Sequence, residues 1–228
     1  YISMRNKLNT IPEAIQAIKN GEIIIVVDDE NRENEGDFVC ASSAIDSEKI
    51  NFMTKEGRGL ICCSLESSRC EDLDLELMVG KNTDIYGTSF TVSVDLKGNG
   101  VTTGISASDR AKTIKALVDD KIDASNFSKP GHIFPLRAID GGVLRRAGHT
   151  EASVDLPKLA GLFPSGVICE ILNDDGSMAR LDNLFKVADK HGLVIISIKD
   201  LIKHKLDIES LIEEKETVDL PTEYGNFK

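Results

Sequence analysis

The chain has 228 residues, of which 41% are hydrophobic, and a formal net charge of -11. Its length and composition predict one large domain, or one domain with a short appendage. The acidic charge argues against nucleic acids and anionic membranes as partners, and no apolar stretch reaches the ~18 residues of a membrane span or resembles a signal sequence.

The five cysteines are odd in number and show no C-x-x-C spacing. We interpret them as cytosolic thiols rather than a disulfide framework or a zinc site, and we expect a cytoplasmic protein. Tyr1, Ile2 and Ser3 precede Met4, the expected natural start. We interpret residues 1–3 as a remnant of cloning.

The first predicted elements are a helix and two strands. Residues 10–13 have the S/T-x-x-E form of a capping box and Gly21 is a stop signal, so a helix is predicted over residues 11–20. The apolar run at residues 22–27 predicts a buried strand. A second apolar run at residues 38–44 predicts a strand that pairs with the first across the acidic segment between them.

Strands and helices then alternate irregularly along the chain. Further strands are predicted at residues 59–65, 89–96, 132–138, 167–172 and 193–198. Further helices are predicted at residues 46–57, 106–118, 150–160 and 179–191. Hairpin-like pairs are mixed with crossovers, and the pattern therefore favours an α+β fold with a mixed sheet covered by helices on both faces.

The acidic segment DDENRENEGDF, residues 28–38, places six carboxylates around one arginine directly after a predicted buried strand. It does not fit a calcium loop, which needs Gly at the sixth position and Glu at the twelfth. In an extended segment Glu33, Glu35 and Asp37 would lie on one side, where they could ligate a hard divalent cation and supply an acid or base. The alternative is a solvated acidic turn.

The segment RRAGHTEASVDL, residues 145–156, places an arginine, a glycine, a histidine and a threonine at the start of a predicted helix. A helix N-terminus offers unpaired N–H groups, and Gly148 allows close backbone approach. With Arg146 and the Thr150 hydroxyl, these groups make a plausible phosphate cradle. The spacing does not by itself make His149 a metal ligand, because a lone histidine is more often packed or at the surface.

Three single residues remain open between a structural and a functional interpretation. His132 begins a predicted strand, where a histidine is usually structural. Glu170 lies inside an apolar strand, where a carboxylate is costly unless it is paired, which makes it a candidate functional residue. Cys62 is by default a small buried hydrophobic residue.

Five segments, in this order along the chain, resemble the 3,4-dihydroxy-2-butanone 4-phosphate synthase family: DDENRENEGDF, GVTTGISASDRAKTI, KPGHIFPLRA, RRAGHTEASVDL and CEILNDDGSMAR. The resemblance covers about residues 9–205, and Lys129 stands where many relatives have Arg. Five motifs in register are far more specific than any one of them. The resemblance implies a three-layer αβα sandwich around a mixed twisted sheet, and a homodimer with its sites near the subunit interface.

The resemblance also implies an activity. Family members are lyases that convert D-ribulose 5-phosphate to 3,4-dihydroxy-2-butanone 4-phosphate and formate in riboflavin biosynthesis, with Mg²⁺ or Mn²⁺, one or two ions per site, and no organic cofactor. A divalent ion would stabilise the enediolate-like oxyanions of such a reaction. Two alternatives stay open. The chain could be another metal-dependent enzyme acting on phosphosugars, such as an isomerase or aldolase, or it could be the non-catalytic scaffold half of a bifunctional protein.

The same resemblance assigns roles to residues of this sequence. The implied metal ligands are Glu33 and His149. The implied catalytic residues are His132, Glu170, Asp37, Glu35 and Cys62. The implied substrate-binding residues are Arg32, Glu33, Asp37, Thr103, Arg146, Ala147, Gly148, His149, Thr150 and Glu170. The remaining acids of the acidic segment, Asp28, Asp29 and Glu30, are expected to be solvated.

The resemblance divides the chain into segments. Residues 4–206 would form the synthase domain, and the charged residues 207–220 a linker. Residues 221–228, PTEYGNFK, resemble the start of a GTP cyclohydrolase II domain, the covalent neighbour of the synthase in bifunctional proteins. The zinc-binding cysteines of the cyclohydrolase are not in this sequence, and we expect no such activity from it.

Overall fold

The structure, a computed structural model, describes residues 7–208, 220–222 and 225–227. Its seven central strands are β1 (Ile24–Val27), β2 (Gly36–Ala41), β3 (Cys62–Leu65), β4 (Val94–Leu96), β5 (Phe127–Arg137), β6 (Ser165–Glu170) and β7 (Ile195–Ser197). They form one mixed sheet in the order β4-β5-β3-β6-β2-β1-β7. The pairs β1·β7 and β3·β5 are parallel, and the other neighbours are antiparallel.

Helices cover both faces of this sheet. They are α1 (Ile11–Lys19), α2 (Ser47–Phe52), α3 (Ser67–Asp72), α4 (Ala107–Leu117), α5 (His149–Leu159), α6 (Leu181–His191) and α7 (Ile198–Ile208). One core packs α2, α3, α4 and α6 against the sheet, and a second core packs α1, α5 and α7 against the other face. The predicted α+β fold, a three-layer αβα sandwich around a mixed sheet, is confirmed.

Burial on both faces explains the near-continuous apolar runs in the strand sequences. In β1, Ile25 and Val27 belong to the first core, whereas Ile24 and Val26 belong to the second. Because side chains alternate along a strand, each residue of this run has a protein layer to pack against.

Local signals set the helix starts. Thr10 and Glu13 form a reciprocal capping box at the start of α1. The side chains of Asp46 and Ser106 accept hydrogen bonds from the first turns of α2 and α4. These three predicted helix starts are confirmed, since the capping side chain satisfies N–H groups that have no partner within the helix.

Several predicted boundaries differ from the structure. The helix expected over residues 46–57 leaves the α-helical form at Phe52 and continues as one π-helical turn, Met53–Gly57. The strand expected over residues 89–96 is regular only at Val94–Leu96, while Phe90 and Thr91 form isolated bridges.

Two helices were not predicted, and one strand is longer than predicted. The helices are α3 and α7, and the strand β5 begins at Phe127 rather than at His132. A Cβ built on Gly131 would lie 2.0 Å from the carbonyl carbon of Val94, and the missing side chain therefore allows β4 to approach β5.

The acidic segment connects two neighbouring strands. Val27 at the end of β1 is opposite Gly36 at the start of β2 in an antiparallel pair. The prediction that the two strands pair across this segment is confirmed. Residues 28–35 are therefore held at both ends by strands that have a neighbour on each side.

A buried ion pair attaches the last helix of the sandwich to α5. Lys205 Nζ on α7 lies 2.8 Å from Asp155 Oδ1, and both side chains are almost fully buried. The other oxygen, Asp155 Oδ2, accepts a hydrogen bond from the backbone N–H of Val143 at 2.8 Å. One carboxylate thus links α7, α5 and the segment that leads to Arg146.

The last helix, α7, continues to Ile208, two residues past the predicted domain boundary at residue 206. Residues 209–219, most of the predicted linker, lie outside the described residues. Two short strands, β8 (Leu220–Thr222) and β9 (Gly225–Phe227), pair antiparallel where the next domain is predicted to begin.

The cysteines are all free and buried, which fits their interpretation as reduced thiols. Residues 1–3, the predicted cloning remnant, lie outside the described residues. Of the helices that the structure describes, none combines the length and apolar character needed to cross a membrane.

Candidate active site

A polar cavity lies between the acidic segment, the first turn of α5 and the end of β6. It is lined by Arg32, Glu33, Glu35, Asp37, Cys62, Thr88, Phe90, Leu136, Arg146, His149, Thr150, Ile168 and Glu170. Most of these residues have roles implied by the sequence. Residues more than a hundred positions apart therefore meet at one site.

The acidic segment is organised around Asp28. Its Oδ1 accepts the backbone N–H of Glu35 at 2.9 Å, and its Oδ2 accepts the backbone N–H of Glu33 at 3.1 Å. Oδ2 also lies 2.9 Å from Arg32 Nη1, and the Asp28 side chain is completely buried. The expectation that Asp28 is solvated is wrong, whereas Asp29 and Glu30 are exposed as expected.

The three alternating carboxylates reach the cavity for a different reason from the predicted one. Residues 30–33 form turns rather than an extended strand, and Asn34 has a positive φ of 54°. The one-sided alternation assumed for Glu33 to Asp37 is therefore wrong as an explanation. The turn around Asp28 brings Glu33 and Glu35 to the same cavity as Asp37.

His149, the first residue of α5, has its two ring nitrogens in different surroundings. Its Nε2 lies 3.1 Å from the carbonyl oxygen of Val26, which can only accept, so Nε2 carries the hydrogen. Its Nδ1 lies 3.7 Å from Glu33 Oε2. One ligand atom each from Asp28, Glu33 and His149 lie within 4.8 Å of one another.

The charges of this cluster shift its pKa values. Burial would lower the pKa of His149, but the charges of Asp37, Glu33 and Asp28 outweigh it and raise the pKa to about 9. Burial raises the pKa of Asp37 to about 7, with the charges of Glu170 and Glu35 adding to the rise. Without a bound cation, a proton on His149 balances part of the carboxylate charge. A cation bound at Nδ1 would take the place of that proton.

The residues of the cluster fit a hard divalent cation. Among the described residues, the buried Asp37 Oδ1 has no hydrogen-bond partner, and such an orphaned oxygen is unusual in a folded protein. Carboxylate oxygens are the ordinary protein ligands of Mg²⁺ and Mn²⁺, whereas an imidazole nitrogen is more usual for softer transition metals. Glu33 and His149 could hold such an ion, and Asp28 is the third member of the cluster.

Glu170 is the last residue of β6, directly opposite Asp37 of β2. Its Oε2 accepts the backbone N–H of Leu60 at 2.8 Å. A Cβ built on Gly59 would lie 2.5 Å from Glu170 Oε2 and 2.6 Å from Glu170 O. Because Gly59 has no side chain, the Glu170 carboxylate can fold against this backbone.

Gly59→Ala is expected to destabilise the protein by about 1–3 kcal/mol, because the added methyl group overlaps backbone atoms that cannot easily move. Thermal unfolding should show a melting temperature lower by several degrees. Gly80→Ala is the matched control, since nothing lies within 4 Å of a Cβ at that position. Equal melting temperatures for the two variants would contradict the close packing of Glu170.

The other end of the cavity carries positive charge. Arg146 donates from Nη1 to Glu151 Oε2 at 2.6 Å and from Nη2 to Thr88 Oγ1 at 3.1 Å. A Cβ on Gly148, the N-cap of α5, would lie 2.2 Å from Arg146 Nη1, so the glycine lets the guanidinium lie across the helix start. The N–H groups of the first helical turn have no partner within the helix. Together with Arg146 and the buried Thr150, they could bind an anion.

Two residues with implied roles lie elsewhere on the same chain. His132 and Thr103 are exposed and do not line the cavity. His132 Nδ1 lies 2.7 Å from Asp95 Oδ2, and its backbone N–H donates to Asp95 Oδ1 at 2.9 Å. A Cβ on Gly104, next to Thr103, would lie 2.2 Å from Asp95 Oδ2, which places Thr103 beside this pair.

Cys62 and Ala147 complete the set of implied residues. Cys62 lines the cavity, and burial, followed by the charges of Glu170 and Asp37, raises the pKa of its thiol well above the usual value. Cys62 is therefore a neutral thiol rather than a thiolate. Ala147 is exposed and is not among the lining residues.

Sequence reasoning missed part of the site. Thr88, Phe90, Leu136 and Ile168 line the cavity without having been singled out. Three of them are apolar and have no chemical signature in a sequence. Thr88 has none either, because its role depends on contact with Arg146, 58 positions away.

The fold and the site define a class of protein: a three-layer α+β sandwich with a carboxylate–histidine cluster beside an arginine at a helix start. The 3,4-dihydroxy-2-butanone 4-phosphate synthase family matches residues 12–204. The chain therefore belongs to the 3,4-dihydroxy-2-butanone 4-phosphate synthase family.

Relatives and solved structures agree with this assignment. The chain is 60% identical over 221 residues to the riboflavin biosynthesis protein RibBA of Cytophaga hutchinsonii and 57% identical over 223 residues to that of Aquifex aeolicus. Each match covers 97% of this chain, and the chain spans only 55% of either relative.

Two solved structures share the fold. One is a 3,4-dihydroxy-2-butanone 4-phosphate synthase in complex with two magnesium ions, with a TM-score of 0.85 and 44% identity over 88% of this chain and 98% of that one. The other is RibBX of A. baumannii, a two-domain synthase, with a TM-score of 0.89 and 46% identity over 96% of this chain and 64% of that one.

Proposed function

We propose that this chain is a lyase that converts D-ribulose 5-phosphate to 3,4-dihydroxy-2-butanone 4-phosphate and formate, a step of riboflavin biosynthesis. The observation that carries the proposal is the meeting of Glu33 and His149 with Arg146 in one cavity. A carboxylate–imidazole cluster at one end suits a metal and a polyhydroxyl chain, and an arginine at a helix start suits a phosphate.

Different residues of the cavity would bind the cation, the sugar hydroxyls and the phosphate. Glu33 and His149 would hold Mg²⁺ or Mn²⁺, one or two ions, with no organic cofactor. When bound, the cation supplies positive charge that stabilises the oxyanions developing on the sugar. Arg32 and Asp37 would contact the sugar hydroxyls. Arg146, Gly148 and Thr150, with the adjoining Ala147 backbone, would hold the phosphate.

Proton transfers would fall to the carboxylates and His132. Burial, followed by the charges of Glu33 and Glu170, raises the pKa of Glu35, and the pKa of Asp37 is raised to about 7. A carboxyl group with a pKa near 7, as at Asp37, can both take and return a proton. Glu170 is held by the Leu60 N–H beside these groups, and Cys62 would participate as a neutral thiol.

The site would be completed in a homodimer. His132 and Thr103 are placed outside the cavity of their own chain, and the His132 side chain is 44% exposed. Asp95 holds Nδ1 and leaves Nε2 directed away from that contact. We propose that the His132–Asp95 pair and Thr103 serve the cavity of the partner subunit.

The whole protein would be larger. The chain spans 55% of its curated relatives, which supports a covalently linked second domain, proposed to be GTP cyclohydrolase II. Residues 4–206 would be the synthase domain, residues 207–220 the linker, and residues 221–228 the start of the second domain. A cytoplasmic location is proposed, with no nucleic acid or membrane partner.

Incubation with D-ribulose 5-phosphate and Mg²⁺ is expected to release formate, and EDTA is expected to abolish the release because it removes the cation from Glu33 and His149. Formate is measured directly, with D-ribose 5-phosphate as the control substrate, which should release none. Consumption of the ketose without formate would favour an isomerase or aldolase. Turnover that persists in EDTA would contradict the metal assignment.

A further inference from the structure

A tight turn at residues 84–88, here called the Tyr86 turn, lies against both arginines of the cavity. The turn is closed by hydrogen bonds from the N–H of Gly87 to Asp84 O at 3.2 Å and from the N–H of Thr88 to Asp84 Oδ2 at 2.8 Å. Asn82 Nδ2 donates to Thr88 O at 2.9 Å. The turn therefore has a defined shape of its own.

Tyr86 holds Arg32 at two points. The Arg32 Cζ lies 5.4 Å from the centroid of the Tyr86 ring, within the range of a cation–π contact. The Tyr86 hydroxyl donates to the backbone carbonyl of Arg32 at 3.0 Å. Asp28 and Glu33 occupy the edge of the same guanidinium, so its face and its edge are both fixed.

The same turn holds Arg146. Arg146 Nε donates to the carbonyl oxygen of Tyr86 at 3.2 Å, and its Nη2 donates to Thr88 Oγ1 at 3.1 Å. Glu151 fixes the remaining Nη1. Tyr86 thus contacts one arginine with its side chain and the other with its backbone.

These contacts link two parts of the chain that come from different layers. Arg32 belongs to the acidic segment after β1, and Arg146 belongs to the segment before α5. An arginine side chain loses much rotamer freedom when it binds an anion, and a side chain already held in place loses less on binding. The turn therefore holds both guanidinium groups in place before a ligand binds.

We propose that Tyr86 is a positioning residue that sets the affinity of the cavity for sugar phosphates by holding Arg32 and Arg146 in place. The inference rests on the proposed function for the identity of the substrate. Tyr86 is not required to touch the reacting atoms, and the binding step depends on it more than the chemical step.

The test compares Tyr86→Leu, which loses the aromatic face and the hydroxyl, with Tyr86→Phe, which loses only the hydroxyl. Ile85→Ala is the matched control, because Ile85 lies in the same turn and is 85% exposed. KM and kcat are measured from formate release with D-ribulose 5-phosphate and Mg²⁺. The Kd for D-ribose 5-phosphate is measured by calorimetry, which needs no turnover, and thermal unfolding checks the fold.

Tyr86→Leu is expected to raise KM and Kd by about tenfold and to leave kcat within about threefold, with Tyr86→Phe intermediate and Ile85→Ala unchanged. The inference is overturned if KM and Kd stay within twofold of the wild type. It is also overturned if kcat alone falls, or if Ile85→Ala matches Tyr86→Leu.

The two proposals fail in different ways. Sugar-phosphate binding that depends on Tyr86, without any formate release, would support the inference and overturn the proposed function. Formate release whose KM and kcat do not change when Tyr86 is substituted would support the proposed function and overturn the inference. A wild-type chain that neither binds nor converts a sugar phosphate would overturn both.

Discussion

Glu33→Gln is expected to reduce formate release by at least about a hundredfold while the fold stays intact. The substitution keeps the size of the side chain and removes the charge that faces His149 Nδ1 at 3.7 Å. Loss of a group that merely orients a metal ligand typically costs 10–100-fold, and loss of the ligand itself should cost more. Activity at saturating and at low Mg²⁺ is the measurement.

The control for this prediction lies in the same segment. Glu30→Gln makes the same change of charge at an exposed position and should leave activity within about twofold, since surface charges contribute little. Thermal unfolding of both variants should resemble the wild type. Near-normal formate release by Glu33→Gln would contradict the ligand assignment.

Restored activity in mixed dimers is the second large effect expected. In the proposed homodimer, His132→Ala and Glu170→Gln should each reduce formate release by about a hundredfold or more, because each removes a group implied in proton transfer. If His132 serves the cavity of the partner subunit, a mixed dimer keeps one complete site. An equal mixture after subunit exchange should then recover about a quarter of wild-type activity, since half the dimers are mixed.

The matched control mixes Glu33→Gln with Glu170→Gln. Both residues line the same cavity of one chain, so one of the two cavities in the mixed dimer lacks Glu33 and the other lacks Glu170. This mixture should show no recovery. Absence of recovery in the His132 mixture, with exchange verified by mass spectrometry, would show that His132 does not act across a subunit boundary.

The helix starts were predictable because their causes are local. Thr10 and Glu13 satisfy each other's backbone groups within four residues, and nothing distant is needed. The start of α7 had a similar signal, since Ser197 Oγ accepts from the N–H of Asp200 at 3.1 Å. This helix start was missed because β7 leads into α7 without a loop. The apolar run of the strand concealed the change from the two-residue period of a strand to the period of about 3.6 residues of a helix.

The three layers of the fold could be predicted from the sequence, but not every strand boundary could. Runs such as residues 22–27 show burial on both faces, which requires helices on both sides of the sheet. The start of β5 depends on contact with β4 around Gly131, a distant cause that a local pattern does not contain. Pro130 and Gly131 suggest a turn when only their neighbours in the sequence are considered.

The site could be assembled from sequence only through the family resemblance. Nothing in the spacing of Glu33 and His149 indicates that they lie together. His149 is brought beside the acidic segment by a contact with Val26, which lies 123 positions earlier in the chain. Asp28 looked like one acid among six, and its central place in the loop follows from three hydrogen bonds that form only after folding.

The buried pair of Lys205 and Asp155 limits how far the chain can be shortened. Deleting the end of α7, from Ile208 back through Lys205, would leave the almost fully buried Asp155 carboxylate without its cation, at a cost of about 3–5 kcal/mol. Asp155 also holds Val143, ahead of Arg146. The damage would therefore spread from the trimmed terminus to the Arg146 end of the cavity, and a minimal folding unit has to include Lys205.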